Sequence, residues 1–174
     1  MSGTTKSARP GAVAMGWWSQ NIAPRENAAA RGLSARLRRA AGPLAVLCEP
    51  QVHTLANDLG LGPGQAEKLV RLVCLLAEVR EHNGKTLAQQ LGGAEPVLSR
   101  SRFERLIRAE GDELTGLLRR AIIMAECRCN VASLAEDIIY WNDKTRNKWC
   151  FHYFGADAPR KEAPDHEHPG GTIE

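Results

Sequence analysis

Aromatic residues are scarce in this chain: four tryptophans, two tyrosines and three phenylalanines in 174 residues. Long hydrophobic runs are missing as well. The longest, Leu72 to Ala77, is six residues, far short of the ~20 that a membrane-spanning helix needs. β-Branched alternation bounded by turn dipeptides is absent, which argues against sandwiches, barrels and βαβ units. The five cysteines (Cys48, Cys74, Cys127, Cys129 and Cys150) form an odd set without framework spacing. No basic segment leads into an apolar stretch near the N-terminus. These features lead us to expect a cytoplasmic, reducing environment and no membrane association.

Catalytic signatures are also lacking. The chain contains no GxxxxGK[ST] phosphate loop, GxSxG elbow, HExxH or DxD-type carboxylate cluster. Glu136 and Asp137 are neighbours, so on a helix they point to different sides and cannot share a metal. Cys127-Arg-Cys129 with Cys150 and His152 has zinc-binding atoms but not zinc spacing, because no second CxxC accompanies the CxC. We expect neither catalysis nor a metal or other cofactor.

Arginine, by contrast, is abundant: seventeen against six lysines. Its planar fork suits phosphate better than simple solubilisation would require. The arginines are clustered. Arg31, Arg36, Arg38 and Arg39 fall within nine residues that hold no acid. Arg100, Arg102, Arg105 and Arg108 form a second group, Arg119 and Arg120 a third, and Lys144, Arg146 and Lys148 a fourth. Residues 157–174 carry five acids against Arg160 and Lys161, so the body is at +6 although the whole chain is only +3. A folded body with several cationic stripes and no catalytic kit points to a phosphate backbone as ligand. Solvated helix faces carry arginine too, normally balanced by acids at i±4. The first cluster has no such acid between Glu26 and Glu49.

The periodicity predicts an all-α protein, either one compact multi-helix bundle or two small helical lobes. Residues 1–14 and 157–174 read as disordered from their Ser/Gly/Pro content, leaving a helical domain over 15–156. A first long helix is expected from Pro24 to Gly42-Pro43, with Leu33, Leu37 and Ala40 on one face. Arg31, Arg38 and Arg39 lie away from that face and Arg36 on its rim. A short helix over 51–59 and a glycine turn precede an apolar helix over 65–82, which should be the core helix, stopped by Asn83-Gly84. Further helices are predicted near 86–91, over 100–109 with Ser99 as N-cap, from 114 to 125, over 133–141 and over 144–154. The C-terminal aromatics read as core anchors rather than base-stacking surfaces. Trp17 and Trp18 should dock either on the fold or on a neighbour.

Taken in order, several segments form a pattern. Trp17-Trp18 is followed by Arg31-Gly32-x-x-Ala35-x-Leu37-Arg38-Arg39-Ala40, then Arg102-Phe103-x-x-Leu106-Ile107-Arg108-Ala109. Leu117-Leu118-Arg119-Arg120-Ala121-Ile122 comes next, then Trp141-Asn142 and Arg146-x-x-Trp149. The string resembles the CasB family, the small subunit of the type I-E CRISPR surveillance complex (Cascade), over roughly residues 15–155. The resemblance implies a helical protein without catalytic activity, present as two copies stacked along the belly of the complex beside the other Cascade subunits. It implies a basic face that supports the guide RNA/target duplex and holds the displaced DNA strand. By resemblance, binding roles fall on Arg38, Arg39, Arg102, Arg108, Arg119, Arg120, Lys144 and Arg146. Arg31, Arg36, Arg105 and Lys148 join them from their wheel positions. Two other readings stay open: a helix-turn-helix regulator built on 51–82, and a helical adaptor whose arginines meet acidic protein surfaces.

Overall fold

The computed structural model describes residues 8–155, so residues 1–7 and the segment from 156 onward, including the predicted acidic tail, lie outside the described residues. Ten α-helices follow one another: α1 Pro10–Asn21, α2 Ala28–Arg39, α3 Pro43–Leu47, α4 Pro50–Leu59, α5 Ala66–Glu78, α6 Leu87–Leu91, α7 Arg100–Arg108, α8 Gly111–Met124, α9 Val131–Ile139 and α10 Asp143–Phe154. Two dipeptide strands, β1 Glu81–His82 and β2 Arg128–Cys129, pair in parallel with Glu81 opposite Arg128.

At the centre is α5. Leu69, Leu72, Val73, Leu75 and Leu76 are all buried there, against α2, α8 and α9. Its apolar residues outnumber what one stripe needs, so it is wrapped on most sides. That burial removes the helix-turn-helix reading, because a recognition helix must present a polar face to the major groove. One connected hydrophobic cluster runs from Ala14 in α1 to Tyr153 in α10. The described body is therefore one bundle rather than two lobes.

The N-terminal boundary differs from the expectation. Residues 10–14, read as disordered, are the first turn of α1, with Pro10 at a position where its missing N–H costs nothing. Both indoles turn inward. Trp17 Nε1 donates to Gln51 O at 2.8 Å and Trp18 Nε1 to Val79 O at 3.1 Å. Gly11 lets α1 close on α9, since a Cβ there would lie 2.5 Å from Ala132 O.

The next helix starts not at Pro24 but at Ala28, because the Asn27 side chain accepts from the Ala29 and Ala30 amides and supplies the cap. Helix α5 stops at Glu78 rather than His82. The chain then straightens into β1, where the Arg80 and Glu81 amides donate to Cys127 O at 2.8 and 3.2 Å. That pairing needs a sharp turn after α8, made by Glu126 and Cys127, both at φ 59°.

Candidate nucleic-acid interface

Helix α7 buries Phe103 and Leu106, which forces Arg102, Arg105 and Arg108 into solvent. Steps of three residues place them about 4.5 Å apart along the axis. Helix α8 buries Leu114, Leu118, Ala121 and Ile122, leaving Arg120 exposed on the side that faces α7. The two helices frame a groove of about 380 Å³. Leu98, Leu106, Leu117 and Met124 form its apolar part, and Arg102, Arg105 and Arg120 its cationic part. Arg108 continues the cationic row beside Arg105. Arg105 contacts Glu113 at 2.8 Å. Arg102, Arg108 and Arg120 make no ion pair within 4 Å among the described residues.

The remaining predicted cations sort by partner. On α2, Arg36 grips Glu49 through Nε at 2.6 Å and Nη2 at 3.2 Å, a two-pronged contact that holds its guanidinium further into the charged range. Arg38, predicted to point away from the apolar face, is half-buried and turns its Nε back onto Ser34 O at 3.3 Å. Arg31 donates to Arg25 O at 2.9 Å, and Arg39 is exposed and unpaired. Arg119 and Arg120 diverge. Arg119 Nε sits 3.3 Å from Glu78 Oε1 but is misaligned for a hydrogen bond, so that contact is coulombic. It borders a separate cavity of about 540 Å³ between α2, α5 and α8.

On α10 the Asn142 side chain accepts from the Thr145 amide and sets the first turn. Lys144 is exposed and unpaired. Arg146 reaches both Asp143 and Glu110 at 3.2 Å and lies 5.8 Å from the centroid of Trp141. Lys148 donates to Asp137, which is buried and also accepts from Trp149 Nε1 at 2.7 Å.

The structure thus gathers Arg102, Arg105, Arg108 and Arg120 on one surface. It leaves the α2 set and the α10 set on other elements that do not line the groove. Five free cations remain among the twelve predicted: Arg39, Arg102, Arg108, Arg120 and Lys144. Of the groove's apolar part, Leu98 and Met124 carried no legible signal, because they sit in a loop and at a helix end where no period applies. Of the six C-terminal aromatics expected to be core anchors, Trp149 and Tyr153 are buried and Trp141 is half-buried, while Tyr140, Phe151 and Phe154 are exposed, so the expectation holds for only part of the set.

Among the described residues no three His, Cys, Asp or Glu side chains gather to hold a metal ion. Burial pushes the Cys129 thiol up to about 12 and raises that of Cys74, so neither is poised as a thiolate. No helix among the described residues is long and apolar enough to cross a membrane.

Comparison with known proteins gives a consistent result. The family model for CRISPR-associated protein Cse2 matches residues 34–154. A CRISPR-associated protein Cse2 of Thermus thermophilus is 30% identical over 105 residues, a match spanning 56% of this chain and 61% of that relative. The crystal structure of CasB from Thermus thermophilus superposes with a TM-score of 0.69 at 22% identity, covering 86% of this chain and all of that one. A chain in the crystal structure of E. coli Cascade bound to a PAM-containing double-stranded DNA target gives 0.58 at 20% identity, covering 83% of this chain and 93% of that one. These last two likenesses speak for the shared helical fold, and the family match speaks for descent: the chain belongs to the CRISPR-associated Cse2 (CasB) family.

Proposed function

We propose that this chain is the small subunit of a type I-E Cascade complex and that it holds nucleic acid by its backbone, reading no sequence and performing no chemistry. The observation that carries this reading is the α7–α8 groove, where three arginines border one apolar channel and two of them hold no carboxylate. Guanidinium forks are matched to phosphate oxygens. Such a surface positions a strand without selecting it. Base pairing with a guide can then supply the specificity.

Within Cascade, the groove and its continuation at Arg108 would support the guide RNA/target duplex and retain the displaced DNA strand. Lys144 and Arg39 extend the contact from α10 and α2, and a second copy prolongs the track. Exchange of DNA pairs for RNA–DNA pairs is nearly balanced in energy. A few phosphate contacts therefore suffice to favour the open state.

The test uses complexes reconstituted with wild-type protein or with Arg102, Arg108, Arg120 and Lys144 all changed to Ala. The variant should shorten R-loop lifetime and expose the displaced strand to a single-strand nuclease, while guide RNA content stays unchanged. Equal lifetimes and equal protection would leave the chain a scaffold only.

A further inference from the structure

We infer that the α7–α8 groove also receives the chain's own acidic C-terminal segment, residues 156–174, which competes there with nucleic acid. The competition rests on the function proposed above, whereas the docking does not.

Three observations converge. First, the groove is unmatched in charge: of its three guanidiniums only Arg105 holds a carboxylate, that of Glu113. Second, the segment is complementary. It carries Asp157, Glu162, Asp165, Glu167 and Glu174 against Arg160 and Lys161, a net charge of −3. A carboxylate offers an arginine fork the same paired oxygens as a phosphate. Third, the segment leaves the fold beside the groove. The Tyr153 hydroxyl donates to Leu98 O, and Leu98 is a wall of the groove. The ring of Tyr153 stacks on Phe103 with centroids 3.9 Å apart, and Phe154 meets the Phe103 ring edge-on at 6.2 Å. Helix α10 therefore ends against the Phe103 side of α7, and Gly155 at φ 69° turns the chain out of the helix.

Reach is not limiting. Asp157 is two residues beyond Gly155, and nineteen residues can span up to roughly 60 Å when extended. Tethering holds the acids at an effective concentration of about millimolar. Individually weak, partly screened ion pairs then compete measurably with a strand arriving from solution.

The experiment uses the full chain with Asp157→Asn, Glu162→Gln, Asp165→Asn, Glu167→Gln and Glu174→Gln introduced together. Without nucleic acid, the side-chain Nε–Hε resonances of Arg102 and Arg120 should differ between this variant and wild type. With a mixed-sequence single-stranded DNA oligomer at low salt, the variant should bind roughly three- to tenfold more tightly. That gain should vanish when Arg102→Ala and Arg120→Ala are added. Unchanged arginine resonances would overturn the docking. An equal gain with and without those two arginines would overturn it too, because it would mark general repulsion rather than occupancy. If the resonances shift but neither form binds the oligomer, the docking stands and the proposed function falls.

Discussion

Asp137 is the one buried carboxylate among the described residues, and burial pushes its carboxyl above the ordinary 3.8, with the Lys148 and Trp149 bonds pulling it part of the way back. The folded chain therefore binds this proton more tightly than the unfolded chain does. The group favours folding most below 3.8, and that contribution is lost as pH rises through the raised value. Asp137→Asn keeps an acceptor for Trp149 without the buried charge. The stability of wild type minus that of the variant, from denaturant melts, should accordingly shrink as pH rises above 3.8; a constant or growing difference would contradict this. Asp137→Ala orphans the Trp149 N–H and should cost about 1–3 kcal/mol at neutral pH. None of this was legible in the sequence, where the adjacency of Glu136 and Asp137 established only that they face different ways. Arg36–Glu49 and Arg119–Glu78 are likewise joined by the fold across distant positions. Balancing acids sought at i±4 do not include these partners, so the sequence overstates how many cations are free.

At the scale of elements, the periodic helices α5, α7 and α8 were readable because their apolar positions recur at helical spacing. Helix α1 was not: it is built of Gly, Ala, Met and Trp without a clear stripe, and only its contacts hold it. Short α3 and the β1–β2 bridge fell below what any period can resolve. A paired substitution tests the account of α1. Gly11→Ala would place a Cβ 2.5 Å from Ala132 O and should destabilise by about 1–3 kcal/mol. That should lower the melting temperature by roughly 2–4 °C per kcal/mol for a chain of this size. Gly16→Ala meets nothing within 4 Å, so it should be neutral or stabilise by up to about 1 kcal/mol through helix propensity. Equal effects at the two positions would mean that α1 does not lean on α9.

For the whole molecule, net charge understates binding capacity, because what matters is the set of cations left unpaired on one surface. Engaging Arg102, Arg105, Arg108 and Arg120 should give a log–log salt slope of about −2 to −3 for single strands. Arg102→Ala with Arg120→Ala should flatten the slope by about 1.4, uniformly across sequences. Anisotropy titrations at several salt concentrations would measure both. An unchanged slope would remove the groove from the contact. The clustering of arginine was legible from the start, but which arginines converge was not, since that depends on the face of α7 that the fold sets beside the Arg120 face of α8.

The packing of α1 against α9 also has a consequence for synthesis. The helix carrying both tryptophans leaves the ribosome well before the surface that shelters Gly11, which is translated more than a hundred residues later. At ribosomal speeds that delay is on the order of ten seconds. For the first part of that interval Trp18 lacks the Val79 carbonyl it bonds, and for nearly all of it the α9 face against which α1 packs does not yet exist. The nascent chain must therefore carry an apolar helix in a holding state until the bundle is nearly complete, so closure of this part of the core is a late event rather than an early nucleus.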